Sequence, residues 1–175
     1  METYYGYVET VLDALLLFEA CDRGMLTCVK RRLLGEERDH IRSGSVYIWD
    51  EDNSGIQRWT DGHRWSSSRP CGNFIVYDEL DNYKRRSDPP KVEHPPADGT
   101  SADDSSALKP GAARRNVLSD GLVKRALSVC TADGRRLHLV SYYTKADVQR
   151  RALNIPRCDA AFAAIKIPES KFPEI

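Results

Sequence analysis

Hydrophobic and polar positions divide this chain into segments that can bury themselves and segments that cannot. Val11, Leu12, Leu15, Leu16, Leu17 and Phe18 leave almost no polar face, and Thr10-x-x-Asp13 opens the run as a capping box. A helix is therefore predicted over residues 11–21, with Gly24 as its stop. A helix apolar nearly all round is buried from several sides or lies in a partner's groove, and a single small domain needs such a spine. Lys30-Arg31-Arg32 precedes a short helix that opens near Gly35 or Glu36, where Glu36 and Glu37 suit the positive end. Val46-Tyr47-Ile48-Trp49 has the β-branched and aromatic content of a strand. Residues 50–55 form a turn, and Ile56-Gln57-Arg58 is expected to return as the partner strand. That puts Arg58 at a hairpin end, free to reach outward. Thr60-Asp61-Gly62 is a second turn, residues 64–69 an exposed loop, and Phe74-Ile75-Val76-Tyr77 another strand.

The pattern then lapses. Residues 84–116 contain no aromatic side chain and are rich in Pro, Gly, Ser and Asp, which predicts a disordered linker. Order resumes after Leu118. Residues 122–130 read as a strand, Asp133-Gly134 as a hairpin turn, and residues 135–143 as the return strand. Thr144-x-x-Asp147 caps a short helix to about Arg151. The remainder, punctuated by Pro156, Pro168 and Pro173, is irregular, with Ile165 and Ile167 placed to dock as an edge. The fold class is α+β: two β-rich lobes with antiparallel hairpins and a buried N-terminal helix. The blocks are residues 1–83 and 117–175.

Charge complicates a simple assignment. There are 26 basic and 26 acidic residues among 175, so the net charge is zero, unlike the basic balance of a typical DNA-binding protein. The distribution is uneven, however. Residues 88–106 hold five acids and one base, so the remainder carries a matching positive excess and can present a basic face. Cys21, Cys28, Cys71, Cys130 and Cys158 are odd in number and lack C-x-x-C spacing, which fits reduced intracellular thiols in a chain without a signal peptide. The four histidines are scattered, so no metal and no cofactor is expected. No apolar run approaches the ~20 residues that cross a bilayer, so no membrane contact is expected.

Residues 55–69 concentrate the candidate chemistry: two tryptophans, three arginines and four hydroxyls broken by glycine. Flat cations, hydroxyls and aromatics on an irregular segment suit an anion-rich surface, with hydroxyls and backbone N–H groups on phosphates and Arg in a groove. A structural turn with its tryptophans packed inward is the other reading of the same string. Cys71 and His63 could form a nucleophile pair only if they met, and no cysteine-enzyme, P-loop, G-x-S-x-G or H-E-x-x-H motif accompanies them. The chain is therefore read as a non-enzyme with no small-molecule substrate.

The string Arg58-Trp59-Thr60-Asp61-Gly62 with Trp65-Ser66-Ser67-Ser68-Arg69 resembles the signature of the WOPR-domain family of fungal transcription regulators. Thr3-Tyr4-Tyr5-Gly6-Tyr7-Val8 resembles the family's opening, residues 41–49 its approach and residues 72–80 its exit. Gly121-Leu122-Val123-Lys124-Arg125 and His138-Leu139-Val140-Ser141-Tyr142-Tyr143 resemble its second block. The resemblance implies that the two β-rich lobes interlock as one unit across a variable insertion and bind double-stranded DNA in a nucleus. It places Arg58 in the minor groove, with an A·T-rich site favoured by arginine insertion. Thr60 could bond phosphate. Arg64, Trp65, Ser66, Ser68 and Arg69 belong to the rest of the signature's binding segment. Trp59 packs and orients Arg58. Arg31 and Arg32 become auxiliary phosphate contacts, the alternative being a solvated edge, and Lys124 reaches the backbone from the second block.

Two positions depart from the family pattern. Gln57 stands where a second base is usual, which removes one phosphate contact. Ser67 stands where Pro is frequent, which leaves the loop less rigid. Phosphorylation candidates are Thr60, beside Arg58, and Ser87, which ends the basophilic run Lys84-Arg85-Arg86-Ser87. That run, with Arg114-Arg115, is also a nuclear-import candidate. The expected function is a sequence-specific DNA-binding transcription regulator with possible co-regulator partners. The alternative is a nuclear protein–protein adaptor without direct DNA readout.

Overall fold

The computed structural model describes residues 1–81 and 117–175; the predicted linker and Ser87 lie outside the described residues. The chain runs β1 (Tyr4–Tyr5), α1 (Val11–Asp22), α2 (Gly35–Arg38), β2 (Ser45–Asp50), α3 (Glu51–Ser54), β3 (Arg69–Cys71), β4 (Phe74–Asp78), β5 (Val123–Cys130), β6 (Arg136–Tyr143) and α4 (Lys145–Gln149). Two short 3-10 turns follow, at Pro156–Cys158 and Ala160–Phe162. Every pairing is antiparallel, and the strands join one open sheet in the order β1-β2-β6-β5-β4-β3. The fold is α+β, and the interlocking of the two blocks is literal. The β5–β6 hairpin of the second block inserts between β2 and β4 of the first.

Both faces of the sheet are covered, and the two-residue period of its strands sorts side chains between them. Val46 and Ile48 of β2, Leu127 and Val129 of β5, and Leu137 and Leu139 of β6 face α1. Tyr47 and Trp49, with Val140 and Tyr142, face the opposite side. Cover on both sides explains why all six residues of β2 are buried. Helix α1 meets the expectation of burial from several sides. The sheet packs on one flank, and Phe162 and Phe172 of the C-terminal tail on another, with the rings of Phe18 and Phe172 6.2 Å apart. The Thr10 box forms as read: the Thr10 N–H donates to Asp13 Oδ2 at 2.7 Å. The same oxygen accepts from Arg157 Nη1 at 2.7 Å, which ties the helix start to the tail. Ile165 and Ile167 lie partly buried against this core and do not form an edge strand.

The predicted hairpin between residues 46–49 and 56–58 is absent. Asp50 caps a single helical turn, its carboxylate accepting from the N–H groups of Asp52 and Asn53 at 3.0 and 3.1 Å. Gly55 then reverses the chain at φ +68°. Both edges of β2 are occupied, by β1 and β6, so no ladder is left for residues 56–58. Ile56 instead enters the second core, and its carbonyl accepts from Trp49 Nε1 at 2.8 Å. The hairpin that does form in this half is β3–β4, turned at Gly72. Helix α4 stops at Gln149, short of Arg151, whose φ of +52° breaks the helical path.

Candidate nucleic-acid interface

Residues 56–69 cross the sheet face opposite α1, and aromatic side chains pin the segment there. Trp59 stacks on Trp49 with ring centroids 4.8 Å apart and packs on Tyr47 at 5.1 Å. On the other face of Trp49 lies His138, 5.1 Å away, held by Ser128 and Glu51 at 2.7 and 2.8 Å. The indole N–H of Trp59 donates to Tyr142 Oη at 2.7 Å. Tyr142 in turn donates to Asp61 Oδ2 at 2.7 Å.

Asp61 is the hub of the segment. It is 5% exposed, and its carboxylate accepts from Trp65 Nε1 at 2.9 Å, Lys124 Nζ at 3.0 Å and the His63 N–H at 3.1 Å. Burial pushes this carboxyl upward, but Trp65, Lys124 and Tyr142 outweigh it and hold Asp61 below the usual carboxylate range. For Lys124 the balance falls the other way: burial outweighs Asp61, and the ammonium sits below the ordinary lysine value. For Tyr142, burial and then the Asp61 charge both raise the phenol. Gly62, at φ +81°, turns the chain immediately after the hub. His63 Nδ1 lies 2.7 Å from Glu79 Oε1, and the other Glu79 oxygen accepts from the Leu122 N–H at 2.8 Å.

The predicted contact residues divide into two sets. Arg58, Thr60, Arg64 and Ser68 are exposed along the segment. Among the described residues Arg58 has no hydrogen-bond or ion-pair partner, while Arg64 Nη1 donates to the Asp81 carbonyl at 3.0 Å. Arg69 is exposed and paired with Asp78. Arg31 and Arg32 are exposed beside the segment, because Val29, Leu33 and Ile41 share a core with Trp59 and Trp65. Arg31 forms a two-pronged pair with Glu37 at 2.8 and 2.8 Å, which holds the carboxyl of Glu37 down to about 2.

The second set turns inward. Trp65, half-buried, turns its indole N–H to Asp61. Ser66 is half-buried, its hydroxyl accepting from the Asp78 N–H at 3.0 Å. Lys124, expected to reach a phosphate, has a side chain only 12% exposed and faces Asp61. It lies on the inner side because β5 places Lys124, Ala126 and Ser128 on the face that the loop covers. Sequence reasoning missed Asp61 and Tyr142. An Asp before Gly reads as a turn residue, and only the strand alternation around Val140 and Tyr142 could have shown a phenol beneath it. Trp59 packs as expected.

Cys71 is exposed on β3, while His63 is engaged by Glu79, and no bond joins the two. Among the described residues no three His, Cys, Asp or Glu side chains gather to hold a metal, and no helix is long and apolar enough to cross a membrane. A cavity of about 280 Å³ opens between the loop and the sheet, lined by Gln57, Arg58, Trp59, Ser128 and His138 among others. The arrangement is a rigidly backed loop that offers hydroxyls and a guanidinium, unpaired among the described residues, to solvent.

A sequence model of the Gti1/Pac2 family matches residues 3–144. The cAMP-independent regulatory protein pac2 of Schizosaccharomyces pombe is 35% identical over 197 residues, covering 99% of this chain and 83% of that protein. The global transcription regulator sge1 of Gibberella moniliformis is 33% identical over 195 residues; the match covers 93% of this chain but only 59% of that protein. Among solved structures, the WOPR domain of Wor1 from Candida albicans in complex with a 13 bp double-stranded DNA superposes with a TM-score of 0.72. Identity is 29%, with 97% of this chain and 93% of that chain covered.

Proposed function

Because the chain belongs to the Gti1/Pac2 family, we propose that it is a DNA-binding transcription regulator that works in the nucleus. Arg58 enters the minor groove of an A·T-rich site. The observation that carries this reading is the contrast between Arg58 and its neighbours. Ile56, Trp59 and Asp61 are anchored to the sheet, while the guanidinium between them is exposed and unpaired among the described residues. A charge that the fold leaves unpartnered on a fixed backbone is preorganised for an anionic ligand, with little ordering entropy left to lose. Thr60, Arg64, Ser68, Arg69, Arg31 and Arg32 surround it as phosphate contacts. Narrow A·T tracts favour the pairing, since their minor groove concentrates negative potential. The solved Wor1 domain, similar over nearly the whole chain, carries double-stranded DNA.

Selection of bound sequences from random duplexes by the purified protein tests the proposal. The wild type enriches an A·T-containing site, and Arg58→Ala weakens that site by about 1–3 kcal/mol, as loss of a groove-reading arginine does. Enrichment of no site, or an unchanged affinity in Arg58→Ala, removes the reading. The zero net charge favours a second one, a protein–protein adaptor without DNA readout. A salt titration separates the two, because DNA affinity falls steeply with salt.

A further inference from the structure

Lys124 and Tyr142 stand opposite each other on β5 and β6 of the second block, and both reach Asp61 of the first. The ammonium of Lys124 has three N–H donors. One meets Asp61 Oδ2 at 3.0 Å, and the ring faces of Trp65 and Tyr77 lie 4.4 and 5.0 Å from the nitrogen. A carboxylate and two π-faces occupy the surroundings of this cation. Asp61 is saturated in the same way. Its two oxygens offer about four acceptor sites, and Trp65, Tyr142, Lys124 and the His63 N–H use them. From this hub a single further bond, Trp59 to Tyr142, reaches the residue next to Arg58.

We propose that Lys124, Asp61 and Tyr142 form a clamp between the two blocks that aims Arg58, and that Lys124 is a positioning residue and not a phosphate contact. The clamp closes only when the β5–β6 hairpin lies between β2 and β4, since that placement brings Lys124 and Tyr142 beneath residues 59–65. The second block thereby controls DNA affinity through a residue that never touches DNA. The proposal rests on the DNA-binding reading and adds a route by which the first block's loop senses docking of the second.

The test is a salt titration of DNA affinity for the full chain and for Lys124→Met, Arg58→Ala and the double variant, on a duplex the wild type selects. A positioning role predicts at least a tenfold loss in Lys124→Met with an unchanged slope of log affinity against log salt. It also predicts that Arg58→Ala costs little more in that background, because an arginine already misaimed has little left to lose. If Lys124 instead neutralised a phosphate, its removal would make the slope shallower by about 0.9, and that result overturns the proposal. So does wild-type affinity in Lys124→Met, or a full additive effect of Arg58→Ala. Should Lys124→Met fail to fold, Asp61→Asn/Lys124→Met, which leaves no buried charge unpaired, carries the same comparison. If the wild type binds no duplex, the DNA reading fails by itself. The near-ultraviolet dichroism of the tryptophans then decides the clamp: an altered signal in the Asp61→Asn/Lys124→Met variant upholds it and an unaltered one ends it.

Discussion

Trp59 and Tyr142, 83 positions apart, share a 2.7 Å hydrogen bond in which the indole donates and the phenol accepts. The same phenol donates to Asp61, so one hydroxyl both receives and gives. Tyr142→Phe keeps the ring and deletes the relay. It leaves a half-buried indole N–H without its partner and removes one donor from Asp61. An unsatisfied buried polar group costs about 1–3 kcal/mol. Urea denaturation should show an unfolding free energy lower by that amount, read as a lower midpoint at an unchanged slope, and tryptophan emission should shift before global unfolding.

Acid should weaken this loop in a defined window. Asp61 is held below the usual carboxylate range in the folded chain, as are Asp22, beside Arg135, and Asp78, beside Arg69. A carboxyl with a depressed folded value is fully stabilising above its unfolded value of about 3.9. As pH falls through that value the unfolded chain takes up protons first, and stability is lost down to the folded value. Urea midpoints should therefore hold from pH 7 to about 5 and fall below it. Asp61→Asn, less stable at neutral pH, should show a shallower acid fall. An equal fall in both proteins would assign the acid limb to the other carboxylates.

How much of this was legible in the chain depends on the range of the interaction involved. The Thr10–Asp13 box, the Asp133-Gly134 turn and the Thr144 cap depend on neighbours within four residues, and each formed where it was read. Residues 46–49, read as a strand from their β-branched and aromatic content, and residues 74–77, 122–130 and 135–143 all fall in strands to within a residue. Their pairing was not legible. The partner of β2 is β6, about ninety residues away, and that pairing displaced the expected return strand at residues 56–58. Facing was lost for the same reason. A lysine in a second-block strand looks like a surface cation until the register shows it beneath Asp61. The aromatic and hydroxyl signature singles out residues 55–69, while the division of that segment into Arg58 outward and Trp65 inward required the sheet beneath it.

The pair between Arg31 and Glu37 yields a gain-of-function prediction. Both prongs of the guanidinium are occupied by a carboxylate on the surface. Exposed pairs contribute little to folding, so Glu37→Gln should leave the unfolding midpoint nearly unchanged. Freed from its carboxylate, Arg31 becomes available to a phosphate, and removing the acid also removes repulsion. DNA affinity at low salt should rise a few-fold, with a steeper salt slope. An unchanged affinity would place Arg31 and its neighbour Arg32 outside the footprint.

Thr60 offers the sharpest test of charge at the loop. It is exposed, two residues from Arg58, and the fixed Trp59 between them leaves the backbone no easy retreat. Phosphate on its hydroxyl would add about −1.5 to −2 charges, opposing both the reach of Arg58 and the approach of DNA. Thr60→Glu mimics part of that charge and should weaken binding several-fold at low salt. The loss should shrink toward ~1 M salt, where screening acts within about 3 Å. Thr60→Val removes only the hydroxyl's bond to a phosphate oxygen and should weaken binding by an amount that varies little with salt. The difference between the two variants across a salt series isolates the effect of charge. If Glu and Val weaken binding equally at every salt concentration, the hydroxyl alone matters and a phosphate switch at Thr60 has no electrostatic basis. If neither weakens it, Thr60 lies outside the contact surface.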